Sequence, residues 1–407
     1  MIYNATTRLA EAALKLRARL GGSDALRERL MIGPAPTRST IWVHGASVGE
    51  LTSARQVILT LQERTTVQIT ANSETGRDLA RDWGLSARLA PLDLPGALDC
   101  FLRCVQPRLL VTIESEFWPL RSRFLAQRGI AHAMIGARMS ERSAGTWSRL
   151  PRIIGPMLGR ISALSAQDQA SEARLLQLGL RRAALMPRLD LKLLDPARIV
   201  PAPHDLVRGR TLLAASTHEG EDAPILSAFA ALCADHPDLR LILAPRHPDR
   251  ADAIAALIAD LGLPCLRRSA GHDAPAPGGV LLADSLGEMD RWYRAAGTCI
   301  VAGSFMDHGG HTPWEPAAHR CALVTGSHVG NFIESYAALE DGDALLRADT
   351  TNLPQVLHRL LSQDGAIAAR GTAARRVLDN RAGDPGPLIA RILTLASEGP
   401  QTDINTL

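Results

Sequence analysis

Short runs of consecutive apolar residues recur along the chain, each followed by a turn and then by a stretch with helical spacing of its apolar positions. The first series of runs predicts strands over 40–45 (TIWVHG), 66–71 (TVQITA), 108–113 (RLLVTI), 131–136 (AHAMIG) and 161–166 (ISALSA). A second series predicts strands over 211–216, 239–245, 279–284, 298–304 and 321–326. Helices are expected between them, at 48–64, 96–105, 171–178, 222–234 and 249–261. Strands that are apolar on both faces and alternate with helices belong to parallel sheets covered on both sides. Between the two series, LLDPARIVPAPHD carries three prolines and no period, which places a linker near 194–205. The reading is an α/β protein of two doubly wound domains, 1–196 and 197–407, and a chain of 407 residues is long enough for two cores.

Composition narrows the function. With 45 basic against 42 acidic residues the charge is nearly balanced, and only fifteen residues are Phe, Trp or Tyr. Neither the basic face nor the stacking platforms of a nucleic-acid binder are present. The six cysteines include one close pair, Cys100 and Cys104, and no second pair to complete a four-ligand metal site; they read as thiols in a reducing compartment. No run approaches the roughly 20 apolar residues of a membrane span. The first twenty residues lack the apolar core of a signal peptide, so a cytoplasmic location is expected. The N-terminal TRLAEAALKLRARL sets Leu9, Ala12, Leu14, Leu16 and Leu20 among Arg8, Lys15, Arg17 and Arg19. It can lie on an anionic membrane surface or pack on its own domain, and both readings stand.

In doubly wound sheets ligands bind beyond the carboxyl ends of the strands, so the residues that follow each run are the candidates. After the first run comes HGASVGE, in which Ser47 and Glu50 fit a capping box and Gly49 permits close backbone approach. Glu50 is also a carboxylate at a strand-to-helix corner, suited to take a proton from a hydroxyl. ESEFWP follows the third run and supplies Glu114 and Glu116, and Asp93 ends a neighbouring segment. In the second half, STHEGE offers Ser216 and Thr217 before a helix, APRHPDR offers Arg246 and His247, and DSLGEMD offers Gly287, Glu288 and Met289. Arginine and helix N-termini suit phosphate. HGGHTPWEPAAH concentrates His308, His311, Glu315 and His319. Two glycines separate His308 from His311, so the fixed helical spacing of a zinc motif is missing. Thr312 as N-cap, Pro313 at the first helical position and Glu315 three residues on make a second capping box, with His319 inside the helix. This is a helix start able to receive a phosphate or sugar.

Together, WVHGASVGE, PLDLPGALDCFLRCVQPRLLVTIESEFWP, GARMSERS, SAQDQASEARLLQLG, AASTHEGED, LAPRHPDR, LGEMDRWY, VAGSFMDHGGHTPWEPAA and HVGNFIE resemble, in order, the bacterial 3-deoxy-D-manno-octulosonic acid (Kdo) transferases of lipopolysaccharide assembly. The similarity runs from Arg27 to the C-terminal helices. It implies a GT-B glycosyltransferase fold, with two Rossmann-like domains facing a cleft and the last helix crossing back. It also implies inverting transfer of Kdo from CMP-Kdo to a hydroxyl of a lipid A precursor, without cofactor or metal, at the cytoplasmic face of the inner membrane. By this resemblance Glu50 is the general base and Glu114 and Glu116 line the catalytic cleft. Ser47, Gly49, Arg138 and Lys192 lie on the acceptor and sugar side. The nucleotide is held by Ser216, Thr217, Arg246, His247, Gly287, Glu288, Met289, Thr312 and Glu315, with Asn331 and Glu334 closing the site. The sequence departs from the family pattern where GGHN, NAR and GNLK are replaced by GGHT (Thr312), GAR (Gly136 to Arg138) and LDLK (Leu189 to Lys192). The alternatives are a relative that uses another nucleotide sugar or acceptor, and a non-catalytic glycan- or lipid-binding paralogue.

Overall fold

Apolar runs of four to seven residues, too short for helices and rich in β-branched side chains, form the interior of two all-parallel sheets in the computed structural model, which describes residues 2–398. The chain divides into two compact units: one through Leu194 together with the segment from Ala382, the other Asp195–Arg381.

The first sheet contains β1 (Ile41–His44), β2 (Val67–Ala71), β3 (Ser86–Leu89), β4 (Leu109–Ile113), β5 (Ala131–Ala137) and β6 (Ala163–Ala166), in the order β3-β2-β1-β4-β5-β6. The chain moves outward from β1 through β2 and β3, then returns to the other side of β1 for β4, so strand order reverses between β1 and β4. Val43 there pairs with Val111 and His44 with Thr112. Both faces of the sheet are covered, and the final helix Gly386–Glu398 inserts Leu388, Ile392 and Leu395 into this first core. The second sheet contains β7 (Thr211–Thr217), β8 (Arg240–Pro245), β9 (Cys265–Arg267), β10 (Val280–Leu282), β11 (Thr298–Val301), β12 (Ala322–Thr325) and β13 (Leu345–Arg347). Its order is β13-β12-β11-β7-β8-β10-β9, with the reversal between β7 and β11.

Several expectations need correction. β3, β9 and β13 are absent from the sequence reading: each is an edge strand of three or four residues with half-buried or exposed positions, and so lacks the continuous apolar run of an interior strand. The helix expected over 48–64 breaks at Ala54 into Val48–Ser53 and Arg55–Gln62. The run at 298–304 pairs only as Thr298–Val301, because the backbone leaves the ladder to build a loop. Helix Leu191–Arg198 runs into the expected linker, with Pro196 inside it.

The N-terminal helix Ile2–Gly21 packs on its own unit. Glu11 is buried, forms an ion pair with Lys15 at 2.8 Å and accepts from the Gly96 amide at 2.7 Å, at the start of helix Pro95–Val105. Leu16 and Leu20, one turn apart, are 59% and 79% exposed beside Arg17 and Arg19. The Leu9 side chain lies outside the described residues. Among the described residues no helix is long and apolar enough to cross a membrane.

Candidate active site

The reversal in the first sheet brings the loops after β1 and β4 together, and these loops carry the three candidate carboxylates. Gly45 makes the first turn possible: a Cβ there would lie 2.9 Å from Leu51 Cδ2 and 3.1 Å from Ile113 Cδ1. Ser47 caps helix Val48–Ser53, accepting from the Glu50 amide at 3.3 Å. The Glu50 carboxylate reaches back, accepting from the Ala46 amide at 2.7 Å and the Ser47 hydroxyl at 3.4 Å. Capping therefore orients this carboxylate as well as closing the helix end. Gly49 has open space where a side chain would stand.

Glu114 leaves β4 in the left-handed region at φ 56°, which redirects the next residues out of the sheet. Its carboxylate lies 3.7 Å from Lys192 Nζ. The Ser115 hydroxyl donates to the Arg138 carbonyl and accepts from the Arg138 amide at 3.1 Å, so Arg138 is tied in through its backbone while its side chain is exposed. Glu116 accepts from Trp118 Nε1 at 2.5 Å and from His44 Nε2 at 3.1 Å. His44 is fully buried, and its Nδ1 stands 2.9 Å from the Thr70 hydroxyl. Because Glu116 accepts only, the neutral ring carries its proton on Nε2.

These partners separate the three carboxylates electrostatically. Burial raises the Glu50 pKa, and the charges of Glu114 and Glu116 raise it further, against the Ala46 and Ser47 hydrogen bonds. Burial alone would also raise Glu116, but His44, Trp118 and Arg121 outweigh it and hold the pKa at about 2. Burial, then the Arg121 charge, lowers His44 to about 4, against the pull of Glu116. Arg121 is itself buried between the Trp42 and Trp118 rings, 5.1 and 5.4 Å from their centroids, and its pKa falls to about 10 through burial. Asp93 accepts from the Leu120 and Arg121 amides at 3.2 and 2.8 Å, fixing the start of the helix that carries Arg121. Of the three acids, Glu50 is the one without a cationic or ring partner, and its pKa is raised where that of Glu116 is lowered. That is what a general base requires.

The reversal in the second sheet gathers a different chemistry. At Ser216 β7 bulges away from β8 with φ 58°, which turns the following loop. Thr217 is buried; its hydroxyl donates to Asp222 at 2.6 Å and its carbonyl accepts from the Arg246 amide at 3.0 Å. Glu221 is fully buried and accepts four backbone amides: His218 at 2.9 Å, Gly303 at 2.8 Å, Ser304 at 3.1 Å and Phe305 at 3.0 Å. It joins the loops after β7 and β11. Above it the His218 ring stacks on His308 at 4.2 Å, while His218 Nε2 faces His311 Nε2 at 3.0 Å. The His247 ring approaches edge-on at 6.0 Å, and the Arg246 side chain is exposed. Asn331 pins this loop, its Nδ2 donating to the His308 carbonyl at 3.3 Å and its amide to the Gly309 carbonyl at 2.9 Å.

The other sequence candidates are placed differently. Gly287 takes φ 83° before helix Met289–Ala295. Glu288 is held in the fork of Arg268 at 2.9–3.1 Å and by the Ser285 hydroxyl, and those two partners lower its pKa to about 2. Glu334 lies on helix Ile333–Asp341. The capping box expected at Thr312 and Glu315 does not form. Pro313 is the N-cap of helix Trp314–Ala318, with Thr312 Oγ1 3.5 Å from the Trp314 amide, so the helix starts one residue later. Glu315 is thereby moved out of the capping position, and its side chain partners the Tyr293 hydroxyl. His319 is the C-cap rather than an interior residue, buried and 3.0 Å from Asp290.

His44, Arg121, His218, His308 and Glu221 have site positions that the sequence reading did not assign. A polar residue closing an apolar strand (His44) and an acid at the head of a helix after a strand (Glu221) were the available signals.

A sequence profile for 3-deoxy-D-manno-octulosonic-acid transferase (kdotransferase) matches residues 24–194. The chain is 33% identical over 362 residues to a 3-deoxy-D-manno-octulosonic acid transferase of Haemophilus influenzae, with 85% of each chain covered. It is 34% identical over 359 residues to one of Bordetella pertussis, with 84% of each covered. Among solved structures, a UDP-GlcNAc 2-epimerase from Neisseria meningitidis superposes with a TM-score of 0.55 at 12% identity, covering 88% of this chain and 100% of that one, a likeness of fold alone. A GT-B frame with an acidic switch point in one sheet and an imidazole-rich one in the other thus coincides with sequence identity along most of the chain, and the protein belongs to the 3-deoxy-D-manno-octulosonic acid transferase family of glycosyltransferases.

Proposed function

We propose that the protein transfers Kdo from CMP-Kdo to a hydroxyl of a lipid A precursor, with inversion and without a resident metal. Glu50 takes the acceptor's proton as its oxygen attacks the anomeric carbon, and the bond to the CMP phosphate breaks with its electrons leaving on the phosphate. The observation that carries this is the sorting of the three carboxylates: Glu116 has partners that hold its pKa low, Glu114 lies beside Lys192, and Glu50 is raised and aimed by its cap. The charges of Glu114 and Glu116 favour a positive centre, so they also suit the oxocarbenium character of a breaking glycosidic bond. Donor phosphate is assigned to the second unit, where Arg246, His247 and the loops after β7 and β11 converge, with Ser216, Thr217 and Asn331 beside them; Gly287, Met289, Thr312 and Glu334 stay assigned to the nucleotide by the family resemblance. The exposed Leu16 and Leu20, flanking Arg17 and Arg19, support attachment to an anionic membrane face, where a lipid acceptor resides.

The test supplies purified protein with CMP-Kdo and lipid A precursor and measures CMP release and product mass. Glu50→Ala should abolish transfer while leaving the donor bound, and undiminished turnover refutes the base assignment. Stabilisation by UDP or GDP sugars alone, in a thermal-shift comparison with CMP-Kdo, refutes the donor assignment.

A further inference from the structure

The three rings at the head of β7 and β11 do more than line a pocket. His311 hydrogen-bonds the Ser216 backbone. Its Nε2 faces His218, so Nδ1 is the atom that donates to the Ser216 carbonyl. With that proton fixed, His311 Nε2 holds a lone pair and His218 donates to it through Nε2. The His218 Nδ1 lone pair is left as the place where a further proton can bind without breaking the ring-to-ring hydrogen bond. His308 lies nearly parallel to His218, 17° between planes at 4.2 Å, and His311 stacks at 12° and 5.1 Å. Rings this close repel one another when doubly charged, so the group accommodates one proton and no second.

We propose that His218, His308 and His311 act as one proton-accepting anion site, so that binding of the donor's phosphate diester is accompanied by uptake of one proton from solvent onto the His218 ring. The inference rests on the assignment of the donor phosphate to the second unit. The groups facing His218 are His308, His311, His247 and the Glu221 carboxylate, and those facing His311 are Arg246, Glu221 and His308. Glu221 is the one anion among them, and its oxygens are already committed to four amides. In the free protein, burial first and then His308 and His311 lower His218 to about 4, so the ring enters binding neutral. A phosphate beside it reverses that balance, since an opposite charge within about 4–6 Å favours the charged form. Proton uptake and anion affinity are then linked in both directions.

Calorimetric titration of the full chain with cytidine 5′-monophosphate methyl ester tests this, because a phosphate diester does not itself titrate near neutrality. At pH 5.5, in two buffers of different ionisation enthalpy, the heats should reveal uptake approaching one proton. Affinity should weaken with rising pH, by up to about tenfold per unit for one linked proton. His218→Gln should bind more weakly with no pH dependence, and His218→Arg, permanently charged, should bind with no proton uptake; melting curves check that both variants fold. Binding without proton uptake in the wild type, or His218→Arg retaining the wild-type pH dependence, overturns the inference and leaves the donor assignment standing. Absence of diester binding at every pH between 5 and 8 overturns the donor assignment itself.

Discussion

Replacing Glu221 tests whether one buried carboxylate holds the second unit's site together. Its two oxygens divide the work: Oε2 accepts from the His218 and Gly303 amides, and Oε1 from Ser304 and Phe305. Glu221→Ala orphans all four donors in a place with no solvent access. Each buried unsatisfied group costs about 1–3 kcal/mol, but relaxation and water entry into the space left by the side chain reduce the sum, and about 3–5 kcal/mol is the expected loss. Glu221→Gln keeps the shape but turns one acceptor oxygen into an amide nitrogen that faces two N–H groups, so about 2–4 kcal/mol is expected from two lost bonds. For a unit of this size each kcal/mol moves the melting point by roughly 2–4 °C, so the alanine variant should melt on the order of 10 °C lower. Scanning calorimetry of the full chain follows the transition, and hydrogen exchange at the Gly303, Ser304 and Phe305 amides locates the change. Unchanged exchange at those three amides with an unchanged transition in Glu221→Ala would falsify the clasp.

Four further outcomes are expected. Glu50→Gln should lower transfer by about 10²–10⁴-fold, the usual loss of a general base, while kcat/KM of the wild type falls as pH drops through the raised Glu50 pKa. A carboxyl with a raised folded pKa stabilises the fold below its unfolded pKa and loses that contribution as pH rises through the folded value. Glu50→Gln should therefore match the wild type in denaturant midpoint at low pH and equal or exceed it at pH 8; a clear loss of stability at pH 8 contradicts the burial argument. Gly326→Ala would drive a Cβ into the Ser304 backbone carbonyl and should cost about 3 kcal/mol and weaken donor binding, read by melting and calorimetry. Dialysis against a chelator should leave transfer unchanged, and loss of activity restored by a divalent cation would overturn the metal-free mechanism.

Legibility in the sequence followed burial. The ten strands read from apolar runs are the ones shielded by neighbours or helices, where apolar residues dominate and buried polar ones such as His44 and Thr70 are hydrogen-bonded. β3, β9 and β13 are short edges with half-buried or exposed positions and no continuous apolar run, so their pattern is indistinct from loop. Candidate site positions could be named because chain order alone places Glu50, Glu114 and Arg246 after strand ends. The chemical division of the site residues was not legible. How the three acids are partnered depends on His44 and Lys192 reaching Glu116 and Glu114 from distant segments, and the imidazole stack joins His218 to residues about ninety positions away. The misplaced cap at Thr312 has a similar origin: a capping box fits the letters, but the loop anchored by Glu221 and Asn331 starts the helix at Trp314.

The proposed placing of donor and acceptor follows the same division. A nucleotide sugar carries at least one phosphate charge. The Glu114 and Glu116 carboxylates at the β1/β4 reversal disfavour that phosphate, and their charges add to the rise in the Glu50 pKa that burial causes first. A neutral hydroxyl meets no such penalty, and the same field strengthens Glu50 as a base toward it. At the β7/β11 reversal Glu221 is enclosed by backbone amides and Asp222 is held by the Thr217 hydroxyl and Arg250, while imidazoles and the exposed Arg246 guanidinium stand beside them. Two parallel sheets, each with one reversal of strand order, thus present opposite chemistry there because of which side chains follow the strands. Exchanging the charge at one of them, as in Arg246→Glu, should abolish donor binding without altering the Glu50 environment.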